Sequence, residues 1–179
     1  MIEYELYDWT SLINLEARVN IVKDITDTID AGNYWTNSPP YQTNVNVFGF
    51  KQEHWNNLKM SFIWSCFAYM KQERQIKTIK SWGYQTSLKT TEDRDRYWHQ
   101  HIRDNNLVLS GVYYLHMPDN IDLKTAGTEF APNGVEGDGK FFAEARVGNW
   151  IIFPGKAWHR PGLLQSKDDR YIVAADMEI

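Results

Sequence analysis

At 179 residues and 21.0 kDa the chain is long enough to bury a real core and too short to divide comfortably into two domains. Hydrophobic residues at 42% and aromatics at 15% exclude the disordered class, and a formal charge of −4 with scattered Lys and Arg gives no reason to expect generic nucleic-acid binding. The single cysteine, Cys66, excludes an internal disulfide, and its neighbours Phe62, Ile63 and Phe67 predict a buried thiol.

In chain order, Ile2, Tyr4 and Leu6 alternate with Glu3 and Glu5, which predicts a short strand within residues 2–9. The segment has neither the basic start nor the apolar core of a signal sequence. No run approaches the roughly 18 apolar residues of a spanning helix. No membrane contact and a cytoplasmic location are therefore expected. From Ser11, Leu12, Leu15, Val19, Val22, Ile25 and Ile29 recur at three and four, an amphipathic helix closed by Gly32. Residues 33–40 hold Asn-Ser-Pro-Pro, a loop, and 41–50 alternate like a strand. A second helix follows, with Trp55, Leu58, Phe62, Cys66, Phe67 and Met70 on its apolar face. His54 falls at its start and reads as a surface or capping residue.

After Gln75 the pattern changes to short extended runs at 76–88, 97–102, 107–116, 128–130, 140–146, 150–153, 158–164 and 171–177, separated by Gly, Pro, Asn and Asp. Helices first and strands afterwards predict a mainly β (α+β) chain, a sandwich or barrel and not a doubly wound sheet. The glycine-rich piece 133–140 reads as a loop at the mouth of that sandwich and lacks the spacing of a phosphate loop.

His99 and His101 sit two apart in an extended run, so both imidazoles project from one face and make half of a metal site. His159 lies between two later strands and is the candidate third ligand. Imidazole suits Fe, Zn, Cu and Ni, so ligand type alone does not choose the ion. His116 shares the face of Ser110, Val112 and Tyr114 and is expected to line the same cavity. Arg170 precedes an apolar strand; it is either a solvated partner of Asp168 or Asp169, or buried where its planar fork can meet a carboxylate, with Tyr114 offering a hydroxyl to the same group.

These residues resemble the Fe(II)- and 2-oxoglutarate-dependent oxygenases, in particular small members from bacteria and phages. The resemblance rests on Tyr41-Gln42-Thr43, Ser81-Trp82, His99-x-His101, Leu109-Ser110-Gly111-Val112-Tyr113-Tyr114-Leu115, Gly127-x-Glu129-Phe130, Phe153-Pro154 with His159, and Arg170, in that order. It implies a double-stranded β-helix, or jelly roll, with N-terminal helices packed on one sheet. One domain is expected over 1–179, with 1–75 as helical support and 76–179 as the jelly-roll core. It also implies Fe(II) held by His99, His101 and His159, with 2-oxoglutarate as co-substrate bound by Arg170 and Tyr114. O2 would be consumed and a small-molecule or peptide substrate hydroxylated, with succinate and CO2 as by-products, in the host cytoplasm if the chain is phage-encoded.

Two positions depart from the family pattern. Most relatives carry Asp or Glu where this chain has His101, so Asp104 and Glu129 stand as alternative carboxylate ligands; Ile172 stands where many carry a serine. Two other readings compete: a cupin-like three-histidine metalloprotein that does not use 2-oxoglutarate, and a non-catalytic module binding through an aromatic surface of Tyr34, Trp35, Tyr41, Trp55 and Trp82. Loops 33–40, 89–95 and 133–140 are where substrate choice would reside.

Overall fold

The computed structural model describes residues 3–35, 41–86, 97–103, 106–164 and 166–179. Helix α1 (Leu15–Asp30) starts later than its periodicity predicts because Asn14 caps it, its side chain accepting from the Ala17 amide at 2.9 Å. Ile21, Ile25 and Ile29, spaced by four, form its buried stripe. Helix α2 (Glu53–Met70) buries Trp55, Leu58, Phe62 and Cys66 and ends at Lys71 in the left-handed conformation. Among the described residues no helix is long and apolar enough to cross a membrane.

Among the described residues nine strands follow the expected runs: β1 (Glu5–Asp8), β2 (Tyr41–Gln42), β3 (Thr78–Thr86), β4 (Val108–His116), β5 (Thr128–Phe130), β6 (Phe141–Ala143), β7 (Asn149–Pro154), β8 (His159–Pro161) and β9 (Arg170–Glu178). They form a six-stranded sheet in the order β1-β7-β4-β9-β3-β2 and a three-stranded sheet in the order β6-β5-β8. The pairings within strands are antiparallel. This is the mainly β jelly roll that the sequence predicts, although the N-terminal third is not purely helical, since β1 and β2 extend the large sheet.

Period-two alternation divides the large sheet's side chains between two cores. Leu109, Tyr113, Leu115, Trp150, Ile152, Val173 and Met177 face outward and pack with Ile21, Ile25, Trp55 and Phe62 of the helices. Val112, Tyr114, Ile151 and Phe153 face inward and meet Phe130 and Ala143 of the small sheet. The helices therefore brace one face, and the other is kept for a cavity. Small residues of α2 complete the docking: Ser61 accepts from the Trp150 indole at 2.8 Å and Ser65 from that of Trp9 at 2.8 Å, so neither buried N–H lacks an acceptor.

Three expectations are corrected here. The strand over 41–50 stops at Gln42, and Val47–Gly49 form a 3-10 turn. The Asn46 side chain donates to Ile79 O and accepts from Ser81 Oγ, while the Phe48 amide donates to that same Ser81 oxygen, so side-chain bonds replace the ladder. The run 97–102 is not a strand; it joins the small sheet through a single bridge, His99 to His159. His54 is half-buried and bonded, not a free surface residue: its Nε2 lies 2.8 Å from Asp24 Oδ2, which also accepts from the Trp55 indole at 2.7 Å, tying α2 to α1.

Gly111 sits where α2 presses on the sheet, and a Cβ there would meet Phe62 at 2.8 Å and Trp150 and Ile152 at 3.0 Å. Gly111→Ala is expected to lower unfolding free energy by about 1–3 kcal/mol through overpacking, read as a lower urea midpoint at unchanged slope.

Candidate metal centre and its cavity

The inner face of the large sheet and the small sheet enclose a cavity of about 370 Å³. All three predicted histidines open into it, together with Arg170 and Tyr114. His99 and His159 exchange both backbone hydrogen bonds at 3.1 Å, and the His101 amide donates to Gly155 O at 2.7 Å. These bonds lay the extended segment along the turn that precedes β8. The ring centroids are 4.2 Å apart for His99 and His159, and 5.2 Å for each of the other two pairs.

Each imidazole is oriented by its Nδ1. That of His99 lies 2.9 Å from Tyr97 O and that of His159 2.9 Å from Ala157 O. A carbonyl can only accept, so both rings carry their proton on Nδ1 and present a lone pair on Nε2. His101 Nδ1 lies 2.6 Å from the Asp176 carboxylate, with the same consequence. One ligand atom from each histidine lies within 4.8 Å of the others. An ion about 2.0–2.1 Å from each nitrogen would close that span by small ring rotations. Three neutral, pre-oriented nitrogens suit a divalent transition metal.

Of the two carboxylate alternatives, Glu129 does not join them. Asp104 lies outside the described residues. Glu129 is a neighbour of the inward-facing Thr128 and Phe130, and alternation along β5 sends it the other way, where Arg160 donates to it at 2.6 Å. His116 is likewise corrected: a bulge between Tyr114 and His116 breaks the alternation, and His116 ends exposed, its ring 6.4 Å from that of Tyr171.

Arg170 is 2% exposed, which removes the solvated alternative; Nη1 donates to Ala126 O at 2.7 Å and Gly162 O at 3.1 Å. The two carbonyls fix the plane of the guanidinium. Tyr114 Oη lies 2.9 Å from Thr128 Oγ1 across the two sheets. Burial raises the Tyr114 pKa, opposed by Thr128 and by the nearby Arg170, so the phenol stays protonated and can donate. The proposed aromatic surface does not assemble: Trp55 is core, Trp82 lines the cavity, Tyr34 packs edge-on against Tyr41, and Trp35 is exposed. The loop 133–140 does not line the cavity, although its end brings Lys140 over the Trp98 ring. Sequence reasoning missed Thr128 and Asp176.

No family model matches the chain, and no curated protein matches its sequence. Solved structures do match. A Pseudomonas putida prolyl-4-hydroxylase superposes with a TM-score of 0.70 over 99% of this chain and 93% of its own, at 9% identity. AviO1 from Streptomyces viridochromogenes Tue57 gives 0.69 over 99% and 90%, at 11% identity. The chain shares their fold. So does the epimerase SnoN, solved with Fe3+, alpha ketoglutarate and nogalamycin RO, at a TM-score of 0.67 over 98% of this chain and 78% of its own, with 9% identity. The predicted resemblance thus holds at the level of the jelly roll, and residue roles rest on the geometry above.

Burial, and then the neighbouring His99, push the His159 pKa down to about 3; burial also lowers that of His99, against the pull of the Tyr97 carbonyl. Without metal, His159 is neutral in both folded and unfolded chains above pH about 6.5. Below it the unfolded chain takes up a proton that the folded one refuses, so stability falls with pH by up to about 1.4 kcal/mol per unit, down to pH about 3. Chelator-treated wild type is expected to lose urea resistance between pH 7 and pH 4.5 more steeply than His159→Gln. Equal slopes would show that His159 is not the source.

Proposed function

We propose that the chain is an Fe(II)- and 2-oxoglutarate-dependent dioxygenase hydroxylating a small molecule or peptide. The observation that carries this is the coexistence, in one cavity, of three imidazoles with ligand nitrogens within 4.8 Å of one another and a buried arginine. When bound, Fe(II) and 2-oxoglutarate supply the oxidising chemistry, with O2 consumed and succinate and CO2 released.

His99, His101 and His159 would hold the iron. Arg170 would take the distal carboxylate of 2-oxoglutarate, its fork held in plane by Ala126 O and Gly162 O. The Tyr114–Thr128 hydroxyl pair would support the same carboxylate, since either oxygen of the pair can donate. Ile172, the register partner of Tyr114, would give this end of the cavity an apolar wall, which would strengthen a charge-assisted bond there. Substrate would enter past Gln42, Trp82 and Tyr97, of which Tyr97 is 75% exposed. The cupin-like alternative gives no account of a buried guanidinium opening into the metal cavity, so Arg170 supports the oxygenase reading over it.

Wild type with Fe(II), 2-oxoglutarate and air is expected to release succinate slowly even without prime substrate; no succinate would count against the reading. Arg170→Ala is expected to raise the 2-oxoglutarate concentration for half-maximal turnover about tenfold or more while leaving metal binding intact, from loss of a charge-assisted pair. His99→Ala and His159→Ala are each expected to abolish stoichiometric Fe(II) uptake in equilibrium dialysis. Uptake retained by both would remove the site.

A further inference from the structure

Asp176 lies in the wall of the cavity. It follows the apolar run Ile172–Ala175 of β9 and lies on the same face as Ile172 and Ala174, which also line the cavity. It is 6% exposed. Its Oδ2 lies 2.6 Å from His101 Nδ1, and its Oδ1 accepts from Ser110 Oγ at 2.7 Å, with Ser110 itself 2% exposed. Ser110 and Asp176 are direct partners in the β4–β9 register, so the serine holds the carboxylate from the adjacent strand.

The other two histidines show what orientation alone requires. His99 and His159 are aimed by backbone carbonyls, which are neutral. His101 alone of the three is aimed by a carboxylate, and burying a charge is unfavourable unless it is compensated. Three neutral imidazoles would leave a divalent ion with its full charge in a poorly polarisable cavity. A carboxylate on the far nitrogen of one imidazole offsets part of that charge and raises the basicity of the nitrogen facing the ion.

We propose that Asp176 is a positioning residue that both fixes the His101 ring and supplies the metal site's negative charge through it. The His101–Asp176 pair thus acts as one anionic ligand, with the carboxylate displaced from the ion by the width of an imidazole ring. The inference rests on the reading that His101 binds the metal.

The test uses the whole protein, Co(II) or Zn(II) as affinity probe, and the Fe(III)/Fe(II) midpoint potential. Asp176→Asn keeps the shape and an acceptor for His101 but removes the charge. It is expected to weaken Co(II) binding about ten- to a hundredfold. The potential should rise, because the more highly charged oxidised ion loses more from removal of the anion. Ser110→Ala, which keeps the carboxylate, is expected to change affinity by less than about threefold. In a His101→Ala background, Asp176→Asn should cause no further loss. A potential unmoved by Asp176→Asn, or an equal loss of affinity in the His101→Ala background, overturns the proposal.

One measurement needs no variant. In the Zn(II)-loaded wild type, the His101 Nδ1 proton should resonate downfield of those of His99 and His159, as expected of a bond to a charged acceptor; coincident shifts overturn the proposal. Failure of the wild type to bind metal overturns the dioxygenase reading itself. Binding by the wild type with Asp176→Asn unchanged overturns only the role of Asp176.

Discussion

Three hydrogen bonds on the outward nitrogens of three imidazoles organise this molecule. Tyr97 O, Ala157 O and the Asp176 carboxylate each accept from an Nδ1, and each thereby turns an Nε2 lone pair toward a common point. A histidine free to choose its tautomer would present either nitrogen, and a free ring would present neither reliably. The acceptors remove that choice before any ion arrives. Two of them belong to the same short stretches of backbone that carry the histidines, so aiming and placement come from one piece of local structure.

The fold supplies what those bonds cannot, which is proximity. His99 and His101 reach His159 because the extended segment lies directly against the turn after β7, and Gly155 permits the approach: a Cβ there would sit 2.6 Å from His101 O. The large sheet then separates two tasks by alternation. Its outer face is held by the helices, and its inner face combines apolar walls with the few polar groups that matter: Ser110, Tyr114, Arg170 and Asp176. Tyr114 bonded to Thr128 and Phe153 packed on Phe130 join that face to the small sheet, so the cavity has walls from both.

Much of this was legible in the sequence because it depends on short-range periodicity. The i, i+2 spacing of His99 and His101 fixed a shared face whatever the strand assignment, and the pair converges although only His99 makes a ladder bridge. His116 misled because the same alternation was carried through a bulge, which has no marked signature in Tyr114-Leu115-His116. The segment 41–50 misled for a different reason, since the Asn46 and Ser81 side chains meet only after the chain has folded back. Thr128 is a cross-sheet partner and was not deducible. Asp176 left a readable trace: continuing the alternation from Arg170 through Ile172 and Ala174 puts an acid on the cavity face.

The central claim, that three fixed imidazoles present Nε2 to one ion, is tested most directly by nitrogen-15 histidine spectra of the chelated protein followed by Zn(II). The account expects His99, His101 and His159 to be Nδ1-protonated before metal, and one equivalent of Zn(II) to shift the Nε2 resonances of those three while leaving His54 and His116 unmoved. Nε2-protonated tautomers in the metal-free protein, or a Zn(II) response confined to fewer than three of these rings, would contradict it.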